Sequence, residues 1–271
     1  YWKKLTHPQT LAERNQKMTN QGSPEPENVL KPVDAPERHH LIDHSAAYSS
    51  FNWAEAHKEF DWERTGKVNM AHEAIDRHLT RGRRNKLALI YTDKERTSRF
   101  TFEDLSLQSN RFANALRKLG VAKGDRVFVF MPRQPELYIA ILGILKIGAI
   151  PSPLFEAFMQ EAVRDRMSNA EAVALVTMPA MLDRVPQWEL PALKHIILVG
   201  AASNGLPEGQ YSFAALMDAA EEKTEIEWLT LEDPLIMHYT SGSTGKPKGV
   251  LHVQRAMIGH LMTGRWVLDM K

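Results

Sequence analysis

Cysteine is absent from all 271 residues. That excludes disulfides, thiolate metal centres and a catalytic thiol. An excess of one charge is missing too, since 34 basic and 33 acidic residues leave a net charge of +1. Nothing in the bulk charge calls for nucleic acid or an anionic membrane, so any anion has to be held by a local site. The longest apolar run, Leu137 to Ile150, is broken by Lys146 and is too short to span a bilayer. No basic segment followed by an apolar one opens the chain, so no signal peptide is read. Internal repeats and low-complexity tracts are also missing. These absences point to a cytoplasmic protein. The first residue is Tyr1 and not Met, which suggests a natural start further upstream.

What is present supports a folded core, with 43% apolar and 25% charged residues in a length that suits one large or two ordinary domains. Residues 1–46 read as a polar extension, with prolines at 8, 24, 26, 32 and 36 and no sustained apolar period. His39, His40 and His44 lie close together there, but no carboxylate pair completes a metal site, and none is predicted. In residues 47–86 the aromatics Phe51, Trp53, Phe60 and Trp62 suit a segment docked on a core. A helix is expected from Asn69 to Thr80, closed by the cations Arg81, Arg83 and Arg84.

From residue 87 to 271 the pattern becomes α/β. Strands are expected at Leu87–Thr92 and Arg99–Thr101. Thr101 and Asp104 then form a capping box for a helix with Leu105, Phe112, Leu116 and Leu119 on one stripe and Gly120 as its stop. Strands at 126–131, 149–154, 172–177 and 195–199 alternate with helices at 136–146 and 160–169 and a short turn at 181–185. That rhythm implies right-handed crossovers and a mainly parallel sheet flanked by helices, with ligands beyond the strand ends. A helix at 213–222, a further strand at 235–239, an extended stretch at 250–253 and a helix at 256–267 complete the reading.

The densest chemistry lies between the last two extended pieces. Tyr239-Thr240-Ser241-Gly242-Ser243-Thr244-Gly245-Lys246-Pro247-Lys248-Gly249-Val250 holds three glycines and two lysines in twelve residues. Glycines let the backbone turn its N–H groups onto a ligand, and hydroxyls and ammonium groups add donors that suit a phosphate chain. The plainer reading is a polar hairpin tip. A Walker loop does not fit, because only two residues separate Gly242 from Gly245, Pro247 comes directly after Lys246, and the residues beyond Gly249 read as strand.

This run resembles the signature loop of the adenylate-forming superfamily, which includes acyl-CoA synthetases, peptide-synthetase adenylation domains and luciferases. Gly124-Asp125-Arg126-Val127, Met131-Pro132 and Pro135-Glu136-Leu137 are similar to the early strand and helix of acyl-CoA synthetases. Phe51-Asn52-Trp53-Ala54, Phe60-Asp61-Trp62, Lys146-Ile147-Gly148-Ala149-Ile150 and Pro153-Leu154-Phe155-Glu156-Ala157-Phe158 resemble the acetate–CoA ligase branch of the shorter bacterial and archaeal kind. The likeness runs from about Ser49 to Lys271, and it makes residues 87–271 the first half of an AMP-binding large domain.

The resemblance implies ATP-dependent activation of acetate, or another short carboxylate, to an acyl-adenylate, followed by transfer to CoA. ATP, Mg²⁺ and CoA are the implied cosubstrates. It implies an ATP phosphate site of Thr240, Ser241, Gly242, Ser243, Thr244, Gly245, Lys246, Lys248 and Gly249. Ser243 and Thr244 would donate to the β- and γ-phosphates. Thr244 and Lys248 would act in catalysis, and Lys246 stands where the family varies. Arg184, Arg166 and Arg164 are the implied CoA contacts, with surface arginine as the competing reading of each. Phe155 to Phe158 would lie near the pantetheine path, and His238 and His252 would play supporting roles. The family's adenine loop, acyl pocket, ribose aspartate, hinge and C-terminal catalytic lysine have no match up to Lys271. The 271 residues by themselves are therefore expected to be inactive, with the strand at Leu235 lacking its usual partners. Two other classes stay open: a ligase for a different acid, and a non-catalytic nucleotide-binding protein.

Overall fold

The computed structural model describes residues 40–240 and 245–270. His39 and most of the expected polar extension lie outside them, as do Ser241, Gly242, Ser243 and Thr244.

Three short helices open the described chain: α1 (His44–Ser50), α2 (Trp53–His57) and α3 (Trp62–Thr65). Phe60 and Trp62 stack at 4.0 Å and are buried, as expected of docking aromatics. Trp53 stays 53% exposed, with Phe51 wedged edge-on between it and Trp266. The helix expected over 69–80 is split. Helix α4 (Met70–Ala74) stops at Ile75, whose φ and ψ are −125° and −64°, and a 3₁₀ turn (Asp76–Leu79) comes next. Tertiary contacts override the helical period here. Asp76 accepts from Lys146 Nζ at 2.9 Å and Ser106 Oγ at 2.6 Å, while Glu73 accepts from the Asp61 N–H and from Arg77.

Strands β1 (Leu87–Thr92) and β2 (Thr97–Thr101) form an antiparallel hairpin. The capping box forms as expected, with Asp104 N–H donating to Thr101 Oγ1 at 3.1 Å and the Thr101 N–H donating to Asp104 Oδ2 at 2.8 Å. It opens α5 (Phe102–Lys118), which buries Leu105, Phe112 and Leu116. Gly120, at φ +84°, ends the run in the left-handed conformation that favours glycine.

The central sheet is parallel throughout, with five strands in the order β4-β3-β5-β6-β7. These are β3 (Arg126–Phe130), β4 (Ile150–Pro153), β5 (Ala174–Thr177), β6 (His195–Leu198) and β7 (Gln210–Ser212). Helix α6 (Pro135–Lys146) links β3 to β4, and α7 (Gln160–Asn169) links β4 to β5. The 181–185 turn is a 3₁₀ helix, Pro179–Arg184. Strand β7 was not anticipated. It is three residues long, too short for a period to show in sequence. Helix α8 (Phe213–Asp218) comes directly after it. Buried Val127, Phe128, Val129, Phe130, Leu175 and Val176 read as continuous apolar runs because both sheet faces are covered.

The strand at Leu235 does find a partner. Strands β8 (Pro234–Thr240) and β9 (Lys248–Val253) pair antiparallel as a separate two-stranded sheet. This hairpin meets the parallel sheet at β4, where buried Ser152 donates through Oγ to the Met237 carbonyl at 3.0 Å. Helix α9 (Met257–Trp266) ends the described chain, and no described helix is long and apolar enough to cross a membrane.

Candidate active site

The phosphate-loop candidates sit on the two strand ends of the β8–β9 hairpin. Thr240 pairs with Lys248 and Tyr239 with Gly249, so the run Thr240–Lys248 connects adjacent strands. The hairpin reading and the ligand-loop reading thus describe the same place. Gly245 takes φ +92°, which a residue with a side chain rarely adopts. Thr240, Lys246, Lys248 and Gly249 are exposed.

Tyr239 underlies this end of the hairpin. Its ring lies against Gly249, where an added Cβ would stand 3.3 Å from Tyr239 Cζ. Its hydroxyl donates to Asn169 Oδ1 at 2.8 Å, at the last residue of α7. Burial raises the Tyr239 pKa above the usual phenol value, partly opposed by the nearby Arg166 charge. On the hairpin, His238 lies 5.8 Å from His252 between ring centroids, and His252 lies 6.4 Å from His260. Desolvation and then the two neighbouring imidazoles lower the His238 pKa.

The three arginines occupy different environments. Arg166 is buried; its guanidinium lies 4.2 Å from the Phe158 ring centroid and 5.9 Å from that of Tyr239, and it donates to the Ala162 carbonyl at 2.8 Å. Its Nε has no partner. Arg184 donates to the Glu156 carbonyl at 2.7 Å and the Phe158 carbonyl at 3.3 Å, and stacks 5.0 Å over Phe130. It therefore braces the turn carrying Phe155, Glu156 and Phe158. Arg164 is ringed by Asp165 at 2.9 Å, Glu189 at 3.5 Å and Glu161 at 3.8 Å, which compensate its charge. Arg164 and Lys246 line one open cleft of about 370 Å³, together with Asp165, Ser168, Asn169 and Glu189. The fold brings Lys246 and Arg164 to that cleft and Arg166 beneath Tyr239. Arg184, over Phe130 at the end of β3, meets Arg166 at Phe158, whose carbonyl it bonds and whose ring Arg166 covers.

Among the described residues no group of three or more His, Asp or Glu could hold a metal. His40 is engaged otherwise, its N–H donating to Asp269 and its Nε2 to the Met270 carbonyl, each at 2.9 Å.

The model of the AMP-binding enzyme family matches residues 75–269. The chain belongs to the AMP-binding enzyme family. Within that family it is 52% identical over 235 residues to the acetyl-coenzyme A synthetase of Bacillus subtilis (strain 168), covering 86% of this chain and 41% of that protein. The crystal structure of a Brucella canis acyl-CoA synthetase superposes with a TM-score of 0.74 at 31% identity, over 82% of this chain and 40% of that one. A second neighbour, the anthranilate CoA ligase AuaEII in complex with anthranoyl-AMP, gives a TM-score of 0.66 at 27% identity, over 75% and 38%. The chain thus spans about two fifths of the length of the relatives it matches.

The residues missed in sequence are Asn169, Ser152 and the Tyr239 hydroxyl, which fasten the hairpin to the rest of the fold. One signal was available. A glycine inside a strand marks a close approach, and Gly249 is such a glycine.

Proposed function

We propose that this chain carries the ATP-phosphate loop of an AMP-forming acetate–CoA ligase. The observation that carries the reading is the 52% identity to an acetyl-coenzyme A synthetase over 235 residues, together with the AMP-binding enzyme family match over residues 75–269, which include the loop. A carboxylate oxygen attacks the α-phosphorus of ATP, the bond from that phosphorus to the bridging oxygen breaks, and pyrophosphate leaves. The CoA thiol then attacks the acyl carbon and AMP departs, giving acetyl-CoA. Charge grows on the departing pyrophosphate, so donors fixed in advance lower the barrier.

In this reading Thr240, Gly245, Lys246, Lys248 and Gly249 flank the phosphates. Ser241, Gly242, Ser243 and Thr244 complete the loop from outside the described residues. Lys248 supplies the cation. Mg²⁺ would accompany ATP near Ser243 and Thr244 and would neutralise charge growing on the departing pyrophosphate. Arg164, Arg166 and Arg184 are the CoA candidates. All three have carboxylate or carbonyl partners, and of the three Arg166 also has a buried Nε without one. Division of the chain near residues 46 and 86 and a cytoplasmic location belong to the same proposal. A second core of Phe60, Trp62, Val68, Met70 and Leu229 supports treating the 47–86 segment as a unit docked on the domain.

The test is ATP–pyrophosphate exchange by the full-length protein with a panel of carboxylates. Acetate-dependent exchange is expected, and Lys248→Ala should reduce it by ~10²-fold or more. Exchange undiminished by that change removes Lys248 from the mechanism. A different preferred acid favours the second reading, a ligase for another acid, for which the anthranilate CoA ligase neighbour is the specific support.

A further inference from the structure

The end of the hairpin that carries the candidate loop is fastened at very few points. Among the described residues, two side-chain hydrogen bonds join segments 235–240 and 245–252 to the rest of the molecule. Ser152 holds Met237, and Tyr239 holds Asn169. Only the second lies at the level of Thr240 and Lys248, where the loop leaves and re-enters the sheet.

We propose that Tyr239 is a positioning residue for the phosphate loop, with the hydroxyl bond to Asn169 setting the place of both strand ends. The inference rests on the ligase reading above. Tyr239 belongs to β8, yet its ring also covers Gly249 of β9, so a single side chain touches both strands. A Cβ at Gly249 would push the ring back by a few tenths of an ångström. The ring's packing alone does not require a hydroxyl, because Phe128 at 6.4 Å and the flat guanidinium of Arg166 would accept a phenylalanine equally well. The hydroxyl adds direction. It ties the hairpin to the last residue of α7, the helix that also bears Arg164 and Arg166. Donors aimed at a leaving group lose much of their effect when displaced by about half an ångström to one ångström. Fixing the strand ends therefore fixes Lys248 relative to the phosphates, and fixes that site relative to the arginines of α7.

The experiment uses the full-length protein with Tyr239→Phe, Asn169→Ala, Asn169→Asp and the Tyr239→Phe/Asn169→Ala double variant. Acetate-dependent pyrophosphate exchange and amide hydrogen exchange at Lys248 and Gly249 are measured together. The expected result is a kcat lowered ~10-fold by Tyr239→Phe and by Asn169→Ala, with the KM for acetate unchanged. The double variant should be no worse than the poorer single variant, since both remove one bond. Asn169→Asp keeps the acceptor oxygen and should recover activity to within about threefold. Amides of Lys248 and Gly249 should exchange ~10-fold faster in Tyr239→Phe while Tm moves by no more than about 2 °C. A residue that merely stabilises the fold would lower Tm and leave kcat alone, and that outcome overturns the proposal. So does an Asn169→Asp as impaired as Asn169→Ala. If the unmodified protein exchanges pyrophosphate with no carboxylate, the ligase reading fails separately. Amide protection lost in Tyr239→Phe would then still support the positioning role, and protection unchanged would end it.

Discussion

The parallel sheet and the β8–β9 hairpin are built on opposite principles. Strands β3, β5 and β6 are buried along nearly their whole length, with helices on both faces. In β9 the residues from Lys248 to Leu251 are all exposed, and Leu251 is 46% exposed. The sheet is held by apolar area, which is large and insensitive to direction. The hairpin packs apolar Leu235, Ile236, Met237 and Tyr239 on its sheet side, and adds to them a few directed polar contacts. A part proposed to carry catalytic groups would gain from such contacts, because directed contacts specify position while area mainly supplies stability.

The contrast can be broken from both sides. Phe128→Ala in β3 should cost ~3–5 kcal/mol, enough to unfold much of the population, and a denaturant midpoint would read it. Lys146→Ala comes next, at about 3 kcal/mol, because it strands Asp76 in a nearly dry site. Burial already holds the Lys146 pKa below the ordinary lysine value, with Asp76 pulling the other way. Pairing the change with Asp76→Asn should recover part of the loss in the same assay.

Acid should act near Lys146 through His78, and on the hairpin through His238, whose pKa is also lowered. His78 has its pKa lowered from 6.5 to about 4, by desolvation first and then by Arg77, Arg83 and Arg81. Between those values the unfolded chain binds a proton that the folded one refuses. Stability should therefore be fully present above pH 6.5 and fall as pH drops from 6.5 towards 4. His78→Gln should flatten that part of the stability–pH curve. Smaller still, Ser152→Ala should cost about 1 kcal/mol and raise amide exchange in β8 more than in β3. Leu251→Ala, on the open face of the hairpin, should stay within about 0.5 kcal/mol. A larger cost there would mean that this face is covered in solution.

Much of the fold was legible from the chain. Period and capping identified α5, α6 and α7, and apolar runs marked β3 to β6, because local pattern and burial agree in those elements. The broken helix at Ile75 was not legible, since its cause is a lysine seventy residues away from Asp76. Lys146 itself looked like an interruption of an apolar run, yet it is fully buried and answered by Asp76, Asn110 and the Ser106 carbonyl. At the candidate site the composition of the loop is the ground of the phosphate-binding proposal. The fastening of the hairpin by Asn169 at its strand ends and by Ser152 at Met237 depends on contacts between elements, which no spacing within the loop encodes.

Asn69 shows what such contacts demand of the chain in time. Its amide is fully buried; Oδ1 accepts from the N–H groups of Ala71 and His72, while Nδ2 donates to the carbonyls of Leu145 and Glu227. Beside it, Val68 and Leu229 exchange backbone hydrogen bonds. Oδ1 can cap α4 locally, but Nδ2 cannot complete its protein partners until a segment 158 residues downstream has arrived. At roughly 5–20 residues per second, a ribosome needs about 8–30 s to deliver it. For that interval water stands in for the Glu227 and Leu229 partners, and the segment around residue 227 is the latch that replaces it.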